Sequence, residues 1–252
     1  MKKTTRFLLI SVYYLIAVIF SMFFRVKQLN PDWYIHLLSF RYGWILFRLL
    51  RGVGPLIGGI FGILVFRNKY QRSITIKGVS LLVSTIYYLA PVLMTGLVGV
   101  AAINGENPHM MGLLSGILII VYCLFEETGW RGYLNDVMRG FSSPLRYILI
   151  GILWYLWHLN FISSGGGSLK FGLLIHLPSC ILGSWVIGQI SDKYKSIMVA
   201  AAIHSIFNIF FDLEAGLNSK IIIVAGVLII WITTSFFLDK RLAVVSSESK
   251  EP

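Results

Sequence analysis

Two adjacent carboxylates lie where an apolar helix would have to cross a membrane. Glu126 and Glu127 follow an uncharged run that starts at Met110, and Arg131 comes four residues after Glu127. Ionisable groups inside a membrane are costly and are functional candidates by default. An acid four residues before a base lies on the same helical face, which predicts a Glu127–Arg131 ion pair. Glu126 is rotated about 100° away, and we expect it to act as a general acid or base.

Histidines lie at a similar depth in two other apolar runs. His158 lies about 16 Å and His204 about 12 Å from the predicted cytoplasmic ends of their runs, and Asn208 follows His204 by one helical turn. The corresponding depth of Glu126 is roughly 12–18 Å. Packing alone does not readily explain three helices that carry such residues at one depth, so we interpret the set as a candidate catalytic site.

Two mechanisms fit these residues. In the first, Glu126 and His158 activate a water molecule, and His204 and Asn208 donate hydrogen bonds to a developing oxyanion. In the second, Glu126, His158 and His204 bind a zinc ion that activates the water. The residues allow a zinc ion without requiring one, because the HExxH pairing on a single helix is missing. Cys123, one turn before Glu126, leaves a thiol nucleophile as a further alternative.

The elements that position these residues are predicted to be membrane-spanning helices. Of the 252 residues, 56% are hydrophobic and only 13% are charged, with a net charge of +11. A soluble domain of this size could not bury so many apolar side chains. Lys and Arg flank the apolar runs instead of forming one basic stripe, which argues against nucleic acid as a partner. We therefore expect an all-α, polytopic membrane helix bundle in the cell membrane.

A spanning helix needs about 20 mostly apolar residues. The charge-poor runs that fit this length number about eight: 7–24, 42–66, 78–103, 110–125 and onward, 147–162, 171–191, 196–211 and 221–238. Basic residues are more frequent on the side that holds both termini, which predicts that both termini are cytoplasmic. We expect a single membrane-embedded domain, 1–252, with a motif-bearing core at about 110–211 and a flexible tail at about 242–252.

Small residues in the apolar runs indicate packing. Cys123 and Cys180 each lie inside such a run, so we expect buried thiols and no disulfide framework. Five glycines recur at four-residue spacing, which predicts close helix packing: Gly54, Gly58, Gly62, Gly112 and Gly116. The Ser/Gly-rich stretch 163–168 predicts a flexible external loop.

The candidate catalytic residues resemble three ordered motifs of the CPBP (CAAX protease and bacteriocin-processing, Abi) family of intramembrane endopeptidases. The stretch 126–131, EETGWR, resembles the EExxxR motif. Trp154 and His158 resemble FxxxH, and His204 with Asn208 resembles HxxxN. Trp154 occupies the position where the family often has Phe, which we interpret as an altered pocket shape.

The resemblance implies an eight-helix bundle around an intramembrane catalytic cavity. It implies that Glu126 and His158 activate water and that His204 and Asn208 stabilise the oxyanion. Supporting roles fall to three residues: Glu127, Arg131 and Trp154. The family has been described both with and without a metal, so the cofactor stays open. The favoured mechanism requires none, and a zinc ion would be held by Glu126, His158 and His204.

The function implied by the resemblance is an intramembrane endopeptidase. Its partners would be the lipid bilayer and a membrane-associated peptide, lipidated protein or lipoprotein as substrate. One alternative is a membrane acyltransferase, or a subunit of one, that acts in lipoprotein N-acylation with a partner enzyme and uses the same oxyanion site. The other is a non-catalytic immunity or scaffold protein, in which the polar cluster only fixes helix packing.

Overall fold

The computed structural model describes residues 1–25, 36, 46, 49–101, 105–162 and 172–248. In this part of the chain the helices are α1 (Lys3–Arg25), α2 (Val53–Val65), α3 (Leu81–Val98), α4 (Pro108–Gly129), α5 (Ser143–Ile162), α6 (Leu177–Tyr194), α7 (Ile197–Asp212) and α8 (Leu217–Glu248). A π-helical segment, Trp130–Leu134, continues α4 without a break, and a second, Gly172–His176, leads into α6. Short α and 3-10 turns, Asn135–Val137 and Met138–Gly140, follow the first segment.

Five stretches of described helix are long and apolar enough to cross a membrane: Lys3–Phe24, Leu81–Val98, Pro108–Gly140, Leu174–Tyr194 and Leu217–Phe237. Helices α2 and α7 are apolar but shorter. The prediction of an all-α, polytopic membrane bundle is confirmed, whereas the count of eight spans and the cytoplasmic termini stay predictions. The second predicted span begins with residues 42–48, and most of these lie outside the described residues. The predicted loop 163–168 also lies outside them.

Local capping explains where three of the helices begin. The Ser80 side chain accepts a hydrogen bond from a backbone N–H in the first turn of α3, and the Ser196 side chain does the same for α7. Asn107 caps α4 by accepting from the N–H groups of His109 and Met110 at 2.9 and 3.3 Å. These side chains satisfy N–H groups that have no partner within the helix. The starts of both α4 and α7, which carry predicted site residues, are therefore fixed locally.

Helix α4 lies at the centre of the bundle, in contact with α2, α3 and α7. Glycines let these helices approach closely. A Cβ atom added to Gly112 would lie 2.1 Å from the carbonyl oxygen of Thr95 on α3, and one added to Gly54 would lie 2.2 Å from that of Ala17 on α1. Neither position tolerates a side chain, so the prediction of close helix packing at these glycines is confirmed.

Two carboxylates tie together the connections at the end of the bundle where α6 ends. Asp136, just after the π-helical segment, accepts hydrogen bonds from the backbone N–H and hydroxyl of Ser73, both at 2.6 Å, and from Arg139 at 2.7 Å. Asp192, near the end of α6, accepts from Arg139 at 2.9 Å and from the Tyr147 hydroxyl at 2.6 Å. This network holds the extension of α4 against α5 and α6.

The remaining predictions concern a cavity and the chain end. A cavity of about 310 Å³ lies at the end of the bundle where α4 begins, and none of the predicted site residues lines it. The predicted intramembrane catalytic cavity therefore stays a prediction, as does the single domain. Helix α8 runs to Glu248, so the predicted tail, 242–252, begins within a helix, and residues 249–252 lie outside the described part.

Candidate active site

Three ionisable residues of α4 and its extension are buried inside the bundle. Glu126 is 1% exposed, and Glu127 and Arg131 are both 0% exposed. The two carboxylates lie in the last turn of α4, and Arg131 lies in the π-helical segment that follows. Such segments are frequent at functional sites. A buried charge needs partners, which come from α4 itself and from α5 and α7.

Glu127 forms an ion pair with the π-helical segment that follows α4 and a hydrogen bond with α7. Nη1 of Arg131 donates to both carboxylate oxygens of Glu127, at 2.9 and 2.8 Å, so the predicted ion pair is confirmed. Nδ1 of His204 donates to Oε1 of Glu127 at 2.8 Å. This second contact was not predicted. A carboxylate on Nδ1 fixes the orientation of the imidazole, and a doubly protonated imidazole can donate Nε2–H to an anion.

Glu126 has a different environment from its neighbour. Its Oε2 accepts a hydrogen bond from the indole Nε1 of Trp154 at 2.9 Å. Its Oε1 is buried without a hydrogen-bond partner among the described residues. Leaving a carboxylate oxygen in this state costs free energy. The orphaned oxygen is therefore a candidate acceptor for a water molecule or a substrate group.

Trp154 lies at the centre of the cluster. Its ring is edge-to-face with His158 and His204, with centroids 5.4 and 4.9 Å apart, and Cζ of Arg131 lies 5.5 Å from its ring centroid. The interpretation of Trp154 as a change in pocket shape missed its hydrogen bond to Glu126. A phenyl ring at this position has no N–H and could not make that bond.

His158 is half-buried on α5, and its tautomer follows from its partner. Nδ1 lies 2.8 Å from the backbone carbonyl oxygen of Trp154. Because a carbonyl oxygen only accepts, Nδ1 carries the proton, and the neutral ring has its lone pair on Nε2. The ring lies edge-to-face against Trp157 and His176, with centroids 4.8 and 5.0 Å apart. A neutral Nε2 is the form that a general base or a metal ligand requires.

Asn208 connects α7 to α4 one turn beyond His204. Its amide Nδ2 lies 3.4 Å from Sγ of Cys123, which precedes Glu126 by one turn of α4. Asn208 therefore lies on the face of α7 that meets α4. Cys123 and Cys180 are both buried thiols outside any disulfide, as predicted.

Hydrogen bonds and ring contacts thus join six of the predicted site residues: Glu126, Glu127, Arg131, Trp154, His158 and His204. Three helices contribute to this group, as the common depth of the residues predicted. Asn208 borders the group through Cys123. The catalytic roles of these residues remain predictions.

The predicted zinc ligands do not come together. In the described part of the chain, the ligand atoms that all lie within 4.8 Å of one another belong to His158, His176 and Cys180, not to His158 with Glu126 and His204. The zinc trio of the second, alternative mechanism does not fit this arrangement. Sequence reasoning missed His176 and Cys180, although their four-residue spacing places them on one helical face.

Comparisons with known proteins find similarity to prenyl endopeptidases over the part of the chain that carries these residues. Residues 108–210 match the family model for type II CAAX prenyl endopeptidases, Rce1-like. CAAX prenyl protease 2 of Methanococcus maripaludis is 31% identical over 134 residues, which are 50% of this chain and 49% of the relative. The chain thus spans about half the length of the curated relative it matches. The matched stretch contains all three motifs, so residues 108–210 are similar to the Rce1-like family of type II CAAX prenyl endopeptidases.

Proposed function

We propose that the chain is an intramembrane endopeptidase that hydrolyses a peptide bond in a prenylated or otherwise lipidated peptide at the membrane. The observation that carries this proposal is the buried Oε1 of Glu126, which has no hydrogen-bond partner among the described residues. A carboxylate oxygen in that state is suited to bind a water molecule and take its proton. The match to a family of prenyl endopeptidases supports the choice of reaction.

Water activation falls to Glu126 and His158. Glu126 takes a proton from the water as its oxygen attacks the scissile carbonyl carbon, and the Nε2 lone pair of His158 holds the water in line. The carbonyl oxygen becomes an oxyanion. When the C–N bond breaks, the proton passes to the leaving amine, and one water molecule is consumed for each new carboxylate and amine. Trp154 fixes the carboxylate through its hydrogen bond to Oε2.

Oxyanion stabilisation falls to His204 and Asn208. Glu127 holds Nδ1 of His204, so a protonated ring presents Nε2–H as a donor. The Asn208 amide on the next turn supplies a second N–H group. Arg131 neutralises Glu127 inside the bundle, which keeps this arrangement in place without a direct part in the chemistry.

The substrate class follows from the relative and from the membrane setting. The curated relative is named a CAAX prenyl protease. A CAAX sequence is the last four residues of a protein: a cysteine that carries a prenyl group and the three residues that follow it. Such a lipidated tail would partition into the bilayer that the helices span, which would bring the scissile bond to the depth of Glu126.

The test is cleavage of an S-farnesylated CAAX peptide by the full chain in detergent or lipid vesicles, with the released tripeptide measured by mass spectrometry. Glu126→Gln keeps an oxygen that can accept from Trp154 but cannot act as a base. We expect its rate to fall at least about 100-fold. The matched control is Glu214→Gln, the same change at an exposed position, which should retain the wild-type rate.

Three results would overturn the proposal. Equal cleavage by wild type and Glu126→Gln would remove Glu126 from the reaction. Failure of the folded wild type to cleave any lipidated peptide, together with altered N-acylation of lipoproteins when the chain is present, would instead support the acyltransferase alternative. A fully functional Glu126→Gln chain in a cellular assay would support the scaffold alternative.

A further inference from the structure

Two residues beside the catalytic cluster take no part in the proposed hydrolysis. His176, at the end of the π-helical segment before α6, and Cys180, on α6, face His158 on α5. The ligand atoms of these three residues all lie within 4.8 Å of one another. Two imidazoles and a thiol are ligands that zinc and related transition-metal ions prefer.

The spacing of His176 and Cys180 already matches that of two ligands of one metal ion. Nε2 of His176 lies 3.6 Å from Sγ of Cys180. Zinc bonds of about 2.0–2.1 Å to nitrogen and 2.3 Å to sulfur, at a tetrahedral angle, place the two ligand atoms about 3.5 Å apart. Their four-residue separation puts both side chains on one helical face. This pair therefore needs little movement to hold an ion.

The third ligand comes from His158 in the correct tautomer. Its Nδ1–H donates to the carbonyl oxygen of Trp154 at 2.8 Å, so the lone pair is on Nε2. Metal-bound histidines commonly hold their other N–H on a carbonyl or carboxylate in this way, which fixes the ring. Because the ligand atoms of the three residues lie within 4.8 Å of one another, a movement of at most about 1.4 Å would bring them to tetrahedral ligand separations.

We propose that His158, His176 and Cys180 form a binding site for a zinc-class ion and that its occupancy inhibits hydrolysis. Binding releases the Cys180 thiol proton to solvent and leaves the ion a fourth position for water. Inhibition follows because the ion occupies the Nε2 lone pair with which His158 holds the catalytic water. The inhibitory part rests on the proposed function, whereas binding of the ion does not.

Binding is tested with Co²⁺ as the probe on the purified full chain, because a tetrahedral thiolate site gives intense visible and near-ultraviolet absorption. We expect one Co²⁺ per chain, displaced by Zn²⁺. Cys180→Ser should lose the thiolate band, and both Cys180→Ser and His176→Gln should weaken Co²⁺ binding at least about tenfold. Cys123→Ser is the matched control, because it removes the other buried thiol and should leave the spectrum unchanged.

Inhibition is tested by Zn²⁺ titration of peptide cleavage, followed by a chelator. We expect Zn²⁺ to inhibit wild type reversibly and to inhibit His176→Gln only at concentrations at least about tenfold higher. Absence of a stoichiometric Co²⁺ spectrum, or an unchanged spectrum in folded Cys180→Ser, would overturn the site. Equal Zn²⁺ sensitivity of wild type and His176→Gln would overturn the inhibitory role. A chain that binds Co²⁺ through Cys180 but cleaves no lipidated or unmodified peptide would refute the proposed function without contradicting the metal site.

Discussion

Replacement of Trp154 by Phe removes a single buried donor from the candidate site. The indole Nε1 is 2.9 Å from Oε2 of Glu126, and Trp154 is 5% exposed. Phe keeps an aromatic ring beside His204 and Arg131 but leaves Oε2 of Glu126, like Oε1, without a hydrogen-bond partner among the described residues. A hydrogen bond to a charged group contributes about 1.5–3 kcal/mol. If that free energy serves to hold the carboxylate in its reactive position, kcat should fall about 10- to 150-fold.

The assay separates catalysis from folding by measuring kcat and KM for cleavage of the farnesylated peptide, and the Tm of each variant. We expect kcat to fall while KM changes little, because Trp154 is predicted to position the base and not to bind the lipid. Trp157→Phe is the matched control. Trp157 lies one turn further along α5, is 0% exposed, and donates to the Ser21 hydroxyl at 2.9 Å. The Trp157→Phe variant should lower Tm about as much as Trp154→Phe does, with less than a threefold change in kcat.

The reasoning fails if folded Trp154→Phe has a kcat within twofold of wild type. It also fails if the two tryptophan variants lose kcat in the same proportion as Tm, since that would make Trp154 a packing residue.

Two further predictions concern the framework of the site. Arg131→Met leaves the buried carboxylate of Glu127 without its cation, which should cost about 3–5 kcal/mol of folding free energy; addition of Glu127→Gln should restore much of the lost Tm, and no restoration would show that Arg131 does more than neutralise its neighbour. Gly129→Ala would place a Cβ atom 2.4 Å from a carbonyl oxygen of α2, so it should cost about 1–3 kcal/mol, whereas Gly216→Ala, with no atom within 4 Å of its added Cβ, should leave Tm unchanged. Equal Tm values for these two alanine variants would contradict the tight crossing.

Within single helices, much of the arrangement could be predicted from sequence. Apolar runs gave the helices because backbone hydrogen bonds must be satisfied inside a bilayer. The Glu127–Arg131 pair followed from four-residue spacing, since the geometry of one helix fixes which residues share a face. The extension of α4 past Glu127 was also predicted from length, although its π-helical turn at Trp130–Leu134 was not.

Contacts between helices were mostly beyond prediction from one sequence. The rotation of each helix about its axis is set by how side chains and glycines interlock with neighbouring helices, and no single run encodes it. For this reason the bond from Trp154 to Glu126 and the bond from His204 to Glu127 were missed. The network around Asp136 and Asp192, in connections between helices, was missed for the same reason.

The sequence by itself determined that the chain is a helical membrane protein and predicted a similar depth for Glu126, His158 and His204, because hydropathy and the rise per residue are local properties. Only the tertiary structure decided which of these groups touch. In the folded chain His204 donates a hydrogen bond to Glu127 and Trp154 donates one to Glu126. His158 lies beside His176 and Cys180. Depth is one coordinate, and packing in the plane of the membrane supplies the other two.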